Sequence, residues 1–250
     1  MDQAAYELFE RLEDSHWWLR GRRTLYFGLL DAMLPRDGSV ESVDVGCGYG
    51  AMLGELERYG PATGVELHPE AVEQCRSRGF ERVLEGSAYE LPIADESAGL
   101  VTFFDCLEHL DDDEAALREA RRVLRPGGMI AVSGPAFNLL YANNDRVAHH
   151  RRRYTRAELR RKLEAAGFEP SKATYVNTLL FPIILPVVLL KKLKERLFPV
   201  ADDPTTNLTH PVAGPVNETL YRVFAAELPL LRRVSFPVGH SVFVAGVKRT

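Results

Sequence analysis

The stretch Val43-Asp-Val-Gly-Cys-Gly-Tyr-Gly50, followed by Ala51, decides how this chain is read, because a strand is cut off by a glycine-rich turn that opens directly into a helix. Glycines at Gly46, Gly48 and Gly50 let the backbone turn tightly and approach a ligand closely. Glu66 stands twenty residues after Gly46 and ends the next apolar run, Ala62-Thr-Gly-Val-Glu-Leu67. A carboxylate at the tip of a second strand can accept both hydroxyls of a ribose. The combination predicts a nucleoside site. Its glycines fall at every second position instead of in G-x-G-x-x-G spacing, so the helix N-terminus is not shaped around a pyrophosphate.

In this pattern the chain resembles the class I S-adenosylmethionine-dependent methyltransferases, from about Ser39 to Phe168 and again at its last strand. Asp44 before the turn, Glu66 on the second strand and Leu124-Arg-Pro-Gly-Gly-Met-Ile130 before a later strand all stand where that family has them. The resemblance implies S-adenosyl-L-methionine as cofactor. It also implies a Rossmann-like α/β fold with a seven-stranded, mostly parallel sheet flanked by helices.

Short apolar runs alternate with helical patterns, which independently argues for a mostly parallel sheet covered on both faces. Two helices broken near Asp14 and Ser15 lead the chain, making residues 1–36 an N-terminal helical cap. Strands are expected near 42–45, 63–67, 82–85, 100–104 and 129–133, with helices at 51–58, 70–78 and 111–124 between them. Residues 134–153 read as a polar loop. A helix over 155–166 follows, with Thr155 and Glu158 forming a capping box. The last two strands, near 171–176 and 241–247, are separated by roughly sixty residues, far more than a hairpin loop needs. The core is therefore 37–176 plus 241–250, and 177–240 is an inserted helical lid. That insertion contains the apolar run 179–190, the basic group Lys191, Lys192, Lys194 and Arg196, a Pro/Thr/Asn-rich stretch over 202–217 and a helix over 218–231. The apolar run is twelve residues long and holds two prolines, whereas a membrane span needs about twenty apolar residues. It reads either as a lid over the substrate cleft or as an interfacial element resting on anionic lipid.

Carried over residue by residue, the resemblance assigns Asp44 to the amino group of the cofactor's methionine end, with the backbone of Gly46, Cys47 and Gly48 bordering that moiety. Glu66 would hold the ribose and Leu67 would press on the adenine. Ser87 stands where many relatives carry an acidic residue toward the adenine amine. Asp105, at the end of the fourth strand, faces the methionine end in this fold. Guanidinium groups bind carboxylates through paired hydrogen bonds, so one of Arg20, Arg22 and Arg23 is assigned to the cofactor's carboxylate, with Arg22 favoured.

On the acceptor side, Glu108-His109-Leu110 follows the fourth strand as in many small-molecule methyltransferases. His109 can titrate near neutrality and accept a proton from a hydroxyl nucleophile. The segments His16-Trp-Trp-Leu-Arg-Gly-Arg-Arg23 and Asp145 to Thr155 resemble a branch of the family with a G-H-x-R-R-Y segment, in which His149 here replaces the glycine. Tyr154 and His150 are the other candidate bases, and Arg152 or Arg153 could bind an anionic group on the acceptor. Asp145, His149 and His150 form no clear ligand motif, and no metal is expected.

A chain of 250 residues at 46% hydrophobic can bury a full core. The net charge of −4 provides no electrostatic footprint for nucleic acid, and no Asn/Asp-Pro-Pro-Tyr/Phe motif follows the fourth strand. Cys47, Cys75 and Cys106 are scattered, which argues for a reducing cytoplasm and against a disulfide or zinc framework. No basic region opens the first helix, so no cleavable signal is expected. These readings converge on a cytoplasmic methyltransferase of a small-molecule or lipid-like acceptor, most simply an O-methyltransferase. The alternatives are a membrane-surface enzyme acting on a lipid-linked acceptor, and a cofactor-binding scaffold without transfer chemistry.

Overall fold

The computed structural model describes residues 3–197, 208 and 212–249. Its centre is a seven-stranded sheet built from β1 (Ser42–Val45), β2 (Ala62–Glu66), β3 (Val83–Glu85), β4 (Ala98–Phe104), β5 (Leu124–Pro135), β6 (Phe168–Val176) and β7 (Ser241–Lys248). The spatial order is β3-β2-β1-β4-β5-β7-β6. All neighbours run parallel except β7, which is antiparallel to both β5 and β6. The strand order reverses between β1 and β4, and in open α/β sheets ligands bind at the carboxyl ends of the strands at such a switch point.

Alternation along the strands sends side chains to two cores. On one face Phe104 and Phe243 pack with Leu25, Tyr26, Phe27 and Leu30 of α2 (Trp17–Leu30). On the other, Phe103, Ile130 and Val132 pack with Leu117 and Ala120 of α5 (Asp113–Val123) and with Leu159 and Leu163 of α7 (Arg156–Ala165). Thr155 caps α7: its hydroxyl accepts from the Glu158 N–H, and the Glu158 carboxylate accepts from the Thr155 N–H.

Several boundaries differ from the sequence expectation. The helix after β1 shrinks to α3 (Leu53–Leu56), preceded by turns. α4 (Pro69–Ser77) lies close to where it was expected. β5 begins at Leu124, so Arg125-Pro-Gly-Gly belongs to a strand that pairs again with Ala98 across an irregularity. β6 extends back to Phe168 across a second irregularity between Pro170 and Lys172, and an edge strand is where a proline without a ladder donor is tolerated. The polar loop contains α6 (Asn143–Val147).

α1 (Gln3–Leu12) and α2 are the two leading helices. The insertion contributes α8 (Phe181–Leu197), α9 (Gly214–Ala225) and α10 (Leu228–Leu231). The single helix expected over 218–231 is thus two helices, and most of the Pro/Thr/Asn-rich stretch lies outside the described residues. The insertion docks closely on α2. A Cβ on Gly21 would lie 2.1 Å from the Phe224 ring, and one on Gly28 would lie 2.4 Å from Leu228. Two bare positions seven residues apart therefore form a flat helical face on which α9 and α10 pack. In contrast, α8 buries little of its apolar surface: Phe181 is buried, but Ile183, Val187, Leu190, Leu193 and Leu197 are exposed.

Candidate active site

The carboxyl ends of β1, β2 and β4 open into a cleft of about 900 Å³, walled by the glycine turn, α2, the segment after β4, α6 and residues 177 and 240–241. Gly46 has φ 71°, and a Cβ there would lie 2.5 Å from the Cys106 sulfur, so only glycine lets the turn pass this close to the end of β4. The Gly46 N–H donates to the Val65 carbonyl at 2.8 Å, which ties the turn to β2.

Glu66 is buried and orders the turn. One carboxylate oxygen accepts from the Gly48 N–H at 2.9 Å, and the other accepts from the N–H groups of Leu67 and His68 at 2.8 and 3.2 Å. Leu67, immediately after it, stands exposed on the cleft wall. Cys47 and Ser87 also line the cleft, and the Ser87 hydroxyl accepts from the Tyr89 N–H at 3.2 Å.

At the other end of the turn, Asp44 is buried and accepts from the Thr102 hydroxyl at 2.6 Å. Burial raises its pKa to about 7; the Thr102 hydrogen bond opposes the rise, Glu66 adds to it, and Arg22 opposes it. A carboxylate held so high is short of a cation. Of the three candidate arginines, Arg22 alone lines the cleft. Arg20 pairs with Glu218 at 3.0 Å and lies over the Tyr221 ring, and Arg23 pairs with Asp14 at 2.6 Å. Arg22 donates to Asp105 at 2.5 Å, and its Nε is buried without a partner. Asp105 itself sits at φ 53°, a left-handed conformation that a residue other than glycine adopts only at a cost.

The same cleft gathers His109, His150, Glu108, Arg153, Asn177 and His240. His150 shares a hydrogen bond between Nδ1 and Asp145 at 2.9 Å, and Arg153 grips the same carboxylate with Nε at 2.7 Å and Nη2 at 3.0 Å. Burial alone would raise Asp145, but the hydrogen bonds from His150 and Arg153 outweigh it and bring its pKa to about 2. Burial, then the neighbouring His150, lowers His109 to about 3, and burial followed by Arg153 lowers His240 to about 4, so both imidazoles are neutral at physiological pH. Burial and the nearby Asp105 push Glu108 well above the usual carboxyl range.

Two candidates do not belong to the cleft. Tyr154 is fully buried, and its hydroxyl donates to the Asp113 carboxylate at 2.8 Å, so it is no base for a substrate. The Arg152 guanidinium donates to the carbonyls of Leu110 and Asp111 at 2.9 and 2.8 Å and lies 3.4 Å from Asp113. The cause is local. Tyr154 bridges to Ala136 in extended conformation, where successive side chains point to opposite sides. Arg152 and Tyr154 therefore share the Asp113 side, and Arg153 faces the cleft. Arg153 is in turn committed to Asp145, so neither arginine stands ready for an acceptor anion.

His16, Glu108, Asn177 and His240 were missed as cleft residues or passed over. Each lines the cleft and, like Arg22, carries a buried side-chain nitrogen or oxygen with no partner. An unpaired buried polar group costs about 1–3 kcal/mol, so a wall lined with them fits a polar ligand. Arg22, Asp44, Glu66 and Leu67 all line this same cleft.

Residues 43–132 match the family model described as a methyltransferase domain. A probable S-adenosylmethionine-dependent methyltransferase of Mycolicibacterium smegmatis is 33% identical over 165 residues, 63% of this chain and 62% of that protein. The 27-O-demethylrifamycin SV methyltransferase of Amycolatopsis mediterranei is 28% identical over 165 residues, 59% of this chain and 61% of that protein. The chain thus spans about three fifths of the length of these relatives. A solved S-adenosylmethionine-dependent methyltransferase of Thermotoga maritima, 22% identical, superposes over 98% of this chain and 100% of its own with a TM-score of 0.58. Residues 43–132 therefore match a methyltransferase domain, and the fold built around them is the one seen in class I methyltransferases, whose cofactor is S-adenosyl-L-methionine.

Proposed function

We propose that this protein transfers a methyl group from S-adenosyl-L-methionine to an oxygen of a small-molecule acceptor. The observation that carries the reading is the convergence on one cleft of Asp44, Glu66 and the Arg22–Asp105 pair with the imidazoles of His109 and His150. When bound, the cofactor supplies an electrophilic methyl on a sulfonium sulfur; the acceptor O–C bond forms as the S–C bond breaks, and the acceptor's proton is released. The protein's task is to align the acceptor oxygen behind that methyl and exclude water, which in well-oriented systems is worth up to about 7–11 kcal/mol. His150, oriented by Asp145, is placed to accept the hydroxyl proton. The relative named as a 27-O-demethylrifamycin SV methyltransferase supports an oxygen acceptor.

The test is incubation with methyl-labelled S-adenosylmethionine and a panel of hydroxylated aromatic, glycosidic and polyketide acceptors. Label is expected in an ether product, and His150→Ala is expected to lower kcat by roughly 10²–10⁴. Full turnover by that variant would leave His150 only a structural role. Cofactor binding without transfer to any acceptor or extract would favour a scaffold.

A second reading, a membrane-surface enzyme with a lipid-linked acceptor, is favoured by α8. Ile183, Val187, Leu190, Leu193 and Leu197 form an exposed apolar stripe at helical spacing beside Lys191, Lys194 and Arg196. Among the described residues no helix is long and apolar enough to cross a membrane. This reading expects co-sedimentation with vesicles containing anionic lipid. Protein left wholly in the supernatant would remove it.

A further inference from the structure

Glu108 and His109 leave the end of β4 in one 3₁₀ turn, and His150 arrives from the end of the α6 segment, 41 residues later. One ligand atom from each of these three side chains lies within 4.8 Å of the other two. We propose that Glu108, His109 and His150 form a binding site for a divalent first-row transition-metal ion at the acceptor end of the cleft. An ion about 2.1 Å from each donor requires donor spacings of roughly 3–4 Å, which small side-chain rotations reach.

Independent features prepare these side chains as ligands. Glu108 is 1% exposed, and its Oε2 has no partner, an arrangement a buried carboxyl does not tolerate without a counterpart. His150 is oriented through Nδ1 by the Asp145 carboxylate at 2.9 Å, which leaves Nε2 to coordinate; a carboxylate behind a histidine is the usual outer partner of a metal-bound imidazole. Asp145 is fixed in turn by the two-pronged contact from Arg153. The rings of His109 and His150 meet edge-on with centroids 4.8 Å apart, so their nitrogens converge instead of stacking away from each other. Both histidines also line a second, more open depression with Tyr141, Arg146, His149 and Arg151, which provides an entry path separate from the cofactor.

Asp145, the carboxylate nearest in sequence to these histidines, stands behind the site as an orienting group, and Glu108 from a distant turn supplies the oxygen. Two imidazoles with one carboxylate select zinc, manganese, iron or cobalt over magnesium and calcium, and they leave coordination positions open. For the role of the ion the inference rests on the methyl-transfer reading. An acceptor hydroxyl that coordinates at an open position loses its proton more easily. With the ion bound, His150 serves as its ligand in place of acting as the base, so that proton passes to solvent, and the resulting oxyanion attacks the sulfonium methyl, forming O–C as S–C breaks.

The test is titration of the full chain with Co²⁺, followed by its visible absorption bands, with metal analysis after dialysis against Zn²⁺. One ion per chain is expected. His109→Ala, His150→Ala and Glu108→Gln should each weaken Co²⁺ binding by ~10-fold or more, while still binding S-adenosylhomocysteine. A measurement that needs no variant is modification by diethyl pyrocarbonate, from which Zn²⁺ should protect His109 and His150 in the wild type. No saturable Co²⁺ uptake, uptake equal in all variants, or equal labelling with and without Zn²⁺ would overturn the site. Titration of the wild type with S-adenosylhomocysteine separates the two claims: loss of that binding with Co²⁺ uptake intact sinks the methyl-transfer reading and spares the ion site.

Discussion

Glu66→Ala is expected to weaken S-adenosylmethionine and S-adenosylhomocysteine binding by roughly 100-fold or more, since two hydrogen bonds to a charged carboxylate are worth about 1.5–3 kcal/mol each and every 1.4 kcal/mol is tenfold. The wild-type carboxylate does two things at once. In the proposed site it offers acceptors to a ribose, and it holds the N–H groups of Gly48, Leu67 and His68. Removing it orphans those donors, so the turn loses its shape together with its ligand contact. Calorimetric titration of both nucleosides into wild type and variant measures the effect. Micromolar wild-type binding unchanged in Glu66→Ala would remove Glu66 from the site, and no binding by folded wild type would sink the methyltransferase reading.

Asp44→Asn is expected to make the unliganded protein more stable and a far weaker binder. Asp44 has a folded pKa of about 7 against an ordinary value of 3.8, because burial penalises its charge. The folded state therefore binds the proton more tightly than the unfolded chain. The penalty is absent below the unfolded pKa, grows as pH rises from about 4 to about 7, and is complete above 7. At 1.36 kcal/mol per pKa unit, it is on the order of a few kcal/mol. Asparagine keeps the shape and can still accept from Thr102 without carrying the charge. In thermal melts at pH 8 the variant should exceed wild type by roughly 5–10 °C, and the gain should vanish near pH 4. Cofactor binding follows the opposite logic. The methionine ammonium favours ionised Asp44, so wild-type affinity should fall up to about tenfold per unit as pH drops below about 7. That slope should be missing in Asp44→Asn. A variant that melts below wild type at pH 8 would mean that the carboxylate is already compensated.

The buried charge of Asp44 shows what kind of site this is. Its cost in the unliganded chain is useful only if a cation arrives, and the unpaired Nε of Arg22 is its counterpart for an anion. In the proposed site these complementary unmet groups would meet the two ends of one zwitterionic moiety.

The glycine-turn side of the cleft was legible in the chain because it is local. A strand, a glycine turn and the carboxylate ending the next strand form one continuous unit, so Asp44, Gly46, Gly48, Glu66 and Leu67 carry their own spacing signal. Thr155 and Glu158 were legible for the same reason, since a capping box spans a single helical turn. The acceptor half was not. Asn177 and His240 lie at opposite ends of an insertion and carry no pattern, yet β6 and β7 bring them to one wall. Tyr154 follows Arg153 directly, and pleating alone turned one away from the cleft and the other into it. The packing of α9 and α10 on α2 depended on Gly21 and Gly28, whose bareness has meaning only once Phe224 and Leu228 arrive. The amino-acid sequence by itself determined the sheet and the cofactor class, because backbone conformation and strand–turn–helix spacing are short-range properties. Only the tertiary structure decided which imidazoles and carboxylates meet at the acceptor end, because those contacts join residues tens to hundreds of positions apart and depend on which side of each strand a side chain leaves.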